Sequence, residues 1–225
     1  MIKFSIIIPV VNEAAILRHC LQQLSHWQQQ GHEVIVVDGG STDETSDISI
    51  EYADFSLESK SGRAHQMNVG AAQASGDIFI FLHADTRLPV NALDQINKNI
   101  KHHAQWGRFD IRFKARGLLF SLIATMMNFR SRITSVATGD QVIFVTRDAF
   151  EKVGGFPDIA LMEDIALSKK LRAYSAPACI STKVISSARR WQKKGVWKTI
   201  WLMWTLRWRY WRGVCPNSLA RDYEQ

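Results

Sequence analysis

Polar side chains that could hold a charged ligand follow three apolar runs of the sequence. The three clusters are "PVVNE" at 9–13, "DGGSTD" at 38–43 and "HADT" at 83–86. Open parallel sheets bind ligands at the carboxyl ends of their strands, where such clusters would converge. One cluster alone would be ordinary turn chemistry, because Asp, Asn, Gly and Ser are favoured in turns for backbone reasons. Three clusters at one predicted edge indicate a binding site.

Asp85 is the strongest candidate ligand in these clusters, and the alternative is that it caps a helix or forms a salt bridge within a loop. A carboxylate at a strand end can hold a hard divalent ion, Mg²⁺ or Mn²⁺, because Mg²⁺ commonly takes one or two protein carboxylates and leaves its other positions to phosphate and water. His83 leaves three roles open. It could be a second metal ligand, a hydrogen-bond donor to ribose or phosphate, or a histidine that fills the end of the sheet.

The elements that must position these clusters alternate along the first hundred or so residues. Apolar runs predict buried strands at 3–10 and 33–37, and a helical spacing of apolar residues predicts a helix from Asn12 to about Gln30. Ser41 or Thr42 is the predicted N-cap of the next helix. Strands at "DFSLES" and "DIFIFLH" flank a helix, "GRAHQMNVGAAQA". This alternation predicts an α/β fold with a parallel sheet and crossover helices.

Beyond residue 105 the alternation stops. "WGRFDIRF" predicts a half-exposed strand, "LLFSLIATMM" is apolar all round, "QVIFV" predicts another strand and 163–172 a helix. At 225 residues the chain is long enough for one sizeable core, so we expect a single domain.

The net charge and the cysteine content indicate which partners the protein binds and in which cellular compartment it works. Lys and Arg number 28 against 21 Asp and Glu, a net charge of +7 that favours anionic partners. The basic residues concentrate in the tail and no recognition motif occurs, so no nucleic acid partner is expected. Three separated cysteines without C-x-x-C spacing indicate the cytoplasm. Neither a signal peptide nor the ~18 apolar residues of a spanning helix is found in the sequence.

The tail "GVWKTIWLMWTLRWRYWRGV" predicts a Trp/Arg-rich helix. It holds five of the eight tryptophans, interleaved with Lys198, Arg207, Arg209 and Arg212. Such a helix could lie at a membrane interface, with its rings at headgroup depth and its cations toward anionic lipid. Equally, it could pack over the rest of the chain and place its tryptophans in core or dimer contacts. The sequence leaves both open.

Four motifs, in this order and spacing, resemble glycosyltransferase family 2, whose members are inverting enzymes of the glycosyltransferase-A fold. They are "IIPVVNE", "VVDGGSTD", "GRAHQMNVGAAQASGDIFIFLHADT" and "GGFPDIALMEDIALSKKL", and the match runs from about residue 4 to 172. The chain resembles most closely the short, stand-alone bacterial members, a subgroup sometimes linked to arsenosugar biosynthesis. The resemblance implies a single-domain glycosyltransferase-A fold: a mostly parallel central sheet flanked by helices, to which the sequence adds the C-terminal Trp/Arg-rich helix.

The resemblance also implies an activity and its partners. A sugar would move, with inversion and metal assistance, from a UDP- or GDP-type nucleotide sugar to a hydroxyl, lipid hydroxyls included. Within one domain, 1–225, residues 1–104 would form a nucleotide-binding half, 105–190 an acceptor half and 191–225 a helical tail. The enzyme would be cytoplasmic, with peripheral contact at the inner membrane face. The rival hypothesis is a membrane-associated module that binds nucleotide sugars without turnover.

Site residues follow from the matching positions. The nucleotide would be bound by Pro9, Val11, Glu13, Asp38, Arg63, Asn68 and Ala84. Asp85 corresponds to the retained metal ligand of the family's Asp-x-Asp, whereas His83 stands where the first Asp usually is. Gly39 likewise replaces the second Asp of the common Asp-Asp-x-Ser.

The second half would supply the base and the acceptor contacts. Inversion needs a base on the face opposite the leaving nucleotide. Asp164 is the predicted base and Glu163 an acceptor ligand; without the resemblance, both would be ordinary acidic residues of a helix start. "SARRWQKKG" resembles the Q-x-x-R-W element, so Arg190 would steady the diphosphate and Trp191 would pack on the acceptor, unless the segment is a surface basic cluster. Gln141 would position acceptor or diphosphate.

Overall fold

A computed structural model describes residues 2–115 and 117–224, without the side chains of Arg190, Lys193, Lys194 and Glu224. The strands of this part are β1 (Phe4–Val10), β2 (Glu33–Asp38), β3 (Phe55–Glu58), β4 (Ile78–Phe81), β5 (Trp106–Phe113), β6 (Ile143–Thr146) and β7 (Ala178–Ser186). The helices are α1 (Ala14–Gln28), α2 (Thr45–Tyr52), α3 (Arg63–Gln73), α4 (Ala92–Lys101), α5 (Leu118–Thr134), α6 (Arg147–Lys152), α7 (Glu163–Tyr174), α8 (Arg189–Lys194), α9 (Val196–Trp211) and α10 (Pro216–Glu224).

These strands form one sheet in the order β3-β2-β1-β4-β6-β5-β7. β6 runs antiparallel to β4 and β5, and the other neighbours are parallel. The predicted α/β class with a mostly parallel sheet is therefore confirmed. The chain passes from β1 to β2 and β3 on one side and returns to β4 on the other, which opens a crevice at the carboxyl ends of β1 and β4.

Helices cover both faces of the sheet in its first half. In β1, Ile6 and Ile8 belong to the same apolar cluster as Leu17 of α1, whereas Ile7 belongs to a second cluster with Met67 of α3. Both faces of β1 are thus buried, which explains why its sequence is a continuous apolar run.

β5 is buried along almost its whole length, so the predicted half-exposed strand is wrong. Seven of its eight residues are buried, Arg108 and Asp110 among them. Arg108 donates to Asp110, and Arg132 of α5 donates to the same carboxylate at 2.7 Å. Arg108 and Asp110 therefore form ion pairs under α5 instead of facing water, and only Arg112 of this strand is exposed.

α2 begins at Thr45 with Glu44 as its N-cap, so the predicted caps at Ser41 and Thr42 are wrong. The Ser41 hydroxyl instead donates to Asp38 Oδ1 at 2.7 Å. The Thr42 amide donates to Asn12 Oδ1 at 2.8 Å. These bonds tie together the turns that follow β1 and β2.

α5 and α9 are amphipathic in an unusual sense, because their apolar stripes face outward. The exposed stripe of α5 comprises Leu118, Leu122, Met126, Phe129 and Ile133. On α9 the exposed residues are Trp197, Trp201, Trp204, Trp208 and Trp211, each 59–76% exposed, while Thr199 and Leu206 are buried. The alternative that placed these tryptophans in the core is wrong. Across the described ranges, no helix has the length and apolar character to cross a bilayer.

Candidate active site

A cleft with a cavity volume of about 180 Å³ lies at the carboxyl ends of β1 and β4. The turn at 138–140 and the start of α7 contribute to its wall, and α9 adds Met203 and Arg207. The structure brings together nine residues predicted from the sequence, namely Pro9, Glu13, Arg63, His83, Ala84, Asp85, Glu163, Asp164 and Trp191. Polar groups from both halves of the sheet thus meet at the predicted edge.

Asp85 faces this cleft and shares a cation with Glu13. Arg189 Nη2 lies 3.2 Å from Glu13 Oε2 and 3.5 Å from Asp85 Oδ2. The Thr86 hydroxyl lies 3.4 Å from the other carboxylate oxygen of Asp85. The contacts of Asp85 are therefore long, and its two oxygens keep capacity for a further ligand.

His83 lies at the floor of the cleft under the turn at 138–140. Its Nδ1 lies 4.0 Å from Asp140 Oδ1, and the backbone of Gly139 packs directly on the ring. Burial and the charge of Arg63 lower the pKa of His83 to about 4. The imidazole is therefore neutral near pH 7 and retains a lone pair.

Glu163 and Asp164 open α7 and differ in environment. Asp164 Oδ2 accepts a hydrogen bond from the Gly139 amide at 2.9 Å, and Oδ1 accepts one from the Ile165 amide at 2.7 Å. Glu163 is more deeply buried. Burial and the charge of Asp164 raise the pKa of Glu163 to about 7, against the opposing charge of Arg63. The pair thus combines an oriented carboxylate with one that is half protonated near neutral pH.

Arg63 lines the cleft as an exposed cation among these acids. Desolvation inside the cleft would lower the pKa of its guanidinium, but Tyr223, Glu163, Asp140 and Asp164 raise that pKa. Because Arg63 begins α3, directly after the positive-φ Gly62, its place at the cleft depends on where that helix starts.

Two residues with positive φ lie in or next to segments that line the cleft. Met162, with φ 70°, precedes Glu163, and Val142, with φ 54°, follows the turn at 139–141. Positive φ is costly for residues with a β-carbon and most of all for a β-branched one, and such strain concentrates at functional sites. The surrounding packing holds both segments in conformations that their sequences do not favour.

Four predicted residues lie outside the lining of this cleft. Val11 is exposed, and Asp38 Oδ1 accepts hydrogen bonds from Gly40 and Ser41. The Asn68 amide exchanges two hydrogen bonds with the Phe156 backbone. Gln141 is fully buried and donates to Ser131 Oγ at 3.0 Å. The side chain of Arg190 lies outside the described residues.

Three contributors to the site were not predicted. Arg189 contacts Glu13 and Asp85, whereas the sequence analysis selected its neighbour Arg190. Met203 and Arg207 bring the Trp/Arg-rich helix to the cleft, although that helix was considered only as a membrane contact or a packing element. An Arg within an otherwise apolar helical face was the available signal for Arg207.

The donor set fits a hard divalent ion that is completed by substrate. Among the described residues, no group of three or more His, Cys, Asp or Glu side chains could hold a metal. Mg²⁺ nevertheless commonly binds one or two protein carboxylates and takes phosphate and water as its other ligands. Asp85, with open coordination capacity, and the neutral His83 match that requirement.

Residues 5–153 match the family model of Glycosyl transferase family 2, which is more than half of the chain. The chain therefore belongs to this family, as its motifs predicted. The probable glycosyltransferase YdaM of Bacillus subtilis is 26% identical over 232 residues, which cover 92% of this chain and 54% of YdaM. A PGL/p-HBAD biosynthesis glycosyltransferase of Mycobacterium tuberculosis is 39% identical over 92 residues, 38% of this chain and 36% of that protein. The chain thus spans only part of these relatives.

Solved structures confirm the glycosyltransferase-A fold. S. aureus TarS in complex with UDP-GlcNAc has a TM-score of 0.66 at 20% identity and covers 82% of this chain and 58% of its own. The mannosyltransferase PcManGT of Pyrobaculum calidifontis, in complex with GDP-Man and Mn²⁺, has a TM-score of 0.61 at 20% identity. The match covers 81% of this chain and 56% of PcManGT. At these identities the likeness concerns the fold alone.

Proposed function

We propose that this protein transfers a sugar, with inversion, from a nucleotide-diphosphate sugar to an acceptor hydroxyl. The observation that carries the proposal is the cleft itself: Asp85 from the end of β4 and the Glu163–Asp164 pair from the start of α7 line one cavity. Membership of Glycosyl transferase family 2 supports this reaction class. The arsenosugar link and the choice of sugar stay predictions.

The donor proposed is a UDP- or GDP-type sugar at the β1 and β4 side of the cleft. Solved relatives of this fold bind UDP-GlcNAc and GDP-Man. Pro9, Glu13 and Ala84 line that side, and Arg63, which also lines the cleft, supplies a positive charge. Asp85, with His83 beside it, would hold Mg²⁺ or Mn²⁺, which when bound supplies positive charge against a diphosphate.

Asp164 is the proposed base. It would take the proton from the acceptor hydroxyl while the acceptor oxygen bonds to the anomeric carbon and the bond from that carbon to the diphosphate oxygen breaks. The diphosphate leaves with the electron pair, and the configuration at the anomeric carbon inverts. The Gly139 and Ile165 amides orient the carboxylate for this role. Glu163, whose pKa is about 7, would hold the acceptor by donating or accepting a hydrogen bond.

A screen of donors tests the proposal. UDP-GlcNAc, UDP-glucose and GDP-mannose are added with and without Mn²⁺, and thermal unfolding and release of nucleoside diphosphate are measured. A true donor at 100 times its Kd stabilises the native state by about 2.7 kcal/mol. We expect such stabilisation with Mn²⁺ and slow release of the diphosphate. Stabilisation without any release would favour the binding module, and the absence of both contradicts the proposal.

We also propose a peripheral membrane contact through α9. Its five exposed tryptophans and its Lys and Arg residues suit an anionic interface, where each cation near the surface contributes about 1 kcal/mol. The protein should sediment with phosphatidylglycerol vesicles at low salt and less at high salt. Trp201→Gln should weaken sedimentation, while the matched loss of an exposed apolar side chain on α2, Ile50→Gln, should not. Protein that stays in the supernatant at both salt concentrations excludes this contact.

A further inference from the structure

An apolar cavity of about 450 Å³ lies between α5 and α9, next to the catalytic cleft. Its volume falls within the range of about 300–1,000 Å³ of small-molecule sites. Ile123, Met126 and Met127 of α5 line it on one side, and Ile200, Met203 and Trp204 of α9 on the other. A ligand in this cavity would therefore be surrounded mainly by hydrocarbon.

The two ends of this cavity differ. Met126 and Trp204 line it and also belong to the exposed stripes, since they are 53% and 64% exposed. The cavity therefore opens where the two apolar stripes adjoin. At its other end, Met203 and Arg207 line both the cavity and the catalytic cleft. A chain entering between the stripes would reach the place where the sugar is transferred.

Two cations lie in this cavity without a full set of partners. Arg130 Nε and Nη2 and Arg207 Nε are buried and make no hydrogen bond to any residue that the structure describes. Burial and the charge of Arg207 lower the pKa of Arg130 to about 10, so both side chains remain cations near neutral pH. Asp140 also lines the cavity, but burial raises the pKa of its carboxyl. Buried donors that lack acceptors are costly, which indicates that a bound anion satisfies them.

We propose that the cavity binds a membrane-resident acceptor that consists of a hydrocarbon chain joined to a phosphate. The chain lies between α5 and α9, the phosphate lies against Arg130 and Arg207, and the group that receives the sugar enters the cleft at Met203. This inference rests on the proposed function and names its acceptor class. It also explains the outward apolar stripes, because they place the mouth of the cavity against the bilayer from which such a molecule comes.

Calorimetry with soluble alkyl phosphates tests this inference. Hexyl, octyl and decyl phosphate are titrated below their micelle concentrations, with inorganic phosphate and decanol as the two half-probes. Each methylene that becomes buried should strengthen binding by roughly fourfold. Decyl phosphate should bind at least about tenfold more tightly than either half-probe, because only it satisfies both the arginines and the apolar wall.

Variants distinguish binding in the cavity from nonspecific attraction of the phosphate by surface cations. Arg130→Met should weaken the binding of decyl phosphate by about tenfold or more. Lys198→Met, which removes a cation from the exposed side of α9, should leave the binding unchanged. Met127→Trp should fill the cavity and abolish the dependence on chain length. Cooperative thermal unfolding of each variant shows that it is folded.

Several outcomes would overturn the inference. One is binding of decyl phosphate no tighter than that of inorganic phosphate, and another is a Lys198→Met variant that weakens decyl phosphate binding as much as Arg130→Met does. Displacement of decyl phosphate by UDP would assign the arginines to the donor instead. Because binding of UDP and of GDP with Mn²⁺ is measured in parallel, a failure limited to the alkyl phosphates contradicts this inference and leaves the proposed function intact. Alkyl phosphate binding without binding of either UDP or GDP contradicts the proposed function, and with it the role of the ligand as acceptor, but leaves the alkyl phosphate site itself intact.

Discussion

Two buried glutamates, Glu33 and Glu163, lie at opposite ends of the sheet region and have opposite pKa shifts. Glu33 begins β2, and its carboxylate accepts hydrogen bonds from the hydroxyls of Ser5 and Ser75 and the amide of Gly76. Burial alone would raise the pKa of Glu33, but the bonds from Ser5, Ser75 and Lys3 lower it to about 2. Glu163 begins α7, where burial and Asp164 raise its pKa to about 7.

The two glutamates differ in whether the protein itself supplies hydrogen-bond donors to the carboxylate. At the amino end of the sheet the fold itself satisfies the carboxylate, so Glu33 stabilises the native state. At the carboxyl end the acids are held close to one another, and Arg63 lies among them as a cation that lines the same cleft. Groups kept with unused bonding capacity and shifted pKa values are typical of sites that bind and react. The two ends thus separate a structural cluster from a functional one.

The largest effect should come from Asp164→Asn. Turnover should fall by about 10²-fold or more, since removal of a general base costs 10²- to 10⁴-fold. Donor binding should change little, because the asparagine oxygen can still accept from the Gly139 amide, while the bond from the Ile165 amide is lost at a cost of about 1 kcal/mol in stability. Steady-state kinetics and UDP titrations measure both quantities. If Glu163→Gln is inactive and Asp164→Asn is active, the two roles are reversed.

Glu33→Gln should destabilise the protein without harming the site. A pKa lowered from 4.5 to about 2 corresponds to about 3 kcal/mol of stability. This contribution is present above pH 4.5 and is lost as the pH falls from there toward 2. Urea unfolding at pH 7 and pH 3 measures it, and the variant should differ from the wild type mainly at pH 7. An equal loss at both pH values would show that packing, not charge, is responsible.

Glu163→Gln should have the opposite effect on stability to Glu33→Gln: it should stabilise the protein near neutral pH. The native state holds the proton of Glu163 more strongly than the unfolded state, so stability is lost as the pH rises from about 4.5 through 7. The glutamine variant should remove this loss and gain up to about 3 kcal/mol above pH 7. Urea unfolding across pH 5–8 gives the slope. A wild-type slope of zero would contradict the raised pKa.

Asp85→Asn should have the smallest effect of the four. UDP binding in the presence of Mn²⁺ should weaken by at least about tenfold, because the loss of residues that merely support metal ligands already costs about 10- to 100-fold. Binding in the presence of a chelator should not change. Titration calorimetry compares the two conditions. Equal UDP affinity with and without chelator in the wild type would remove the metal from the proposal.

The sequence predicted those parts of the fold and site that local patterns determine. Continuous apolar runs identified the buried strands, and the polar residues after β1 and β4 meet in the cleft because parallel strands end at one edge. The cluster at 38–43, after β2, was expected there too but lies outside the lining of the cleft. Burial of β5 was missed because Arg132, which pairs with Asp110, comes from a helix 22 residues further on. Arg189 was missed because its contact with Asp85 depends on the tertiary placement of α8, which no local motif reveals.

The packing of Gly139 on His83 couples two positions that are far apart in the chain. A β-carbon at position 139 would lie 2.5 Å from His83 Cε1, closer than real contacts allow. Glycine at 139 is therefore required as long as an imidazole occupies position 83. An aspartate at 83, the residue usual in the family pattern, is shorter and would release the constraint. Among relatives, the two positions should change together, and Gly139→Ala should be tolerated in His83→Asp but not in the wild type.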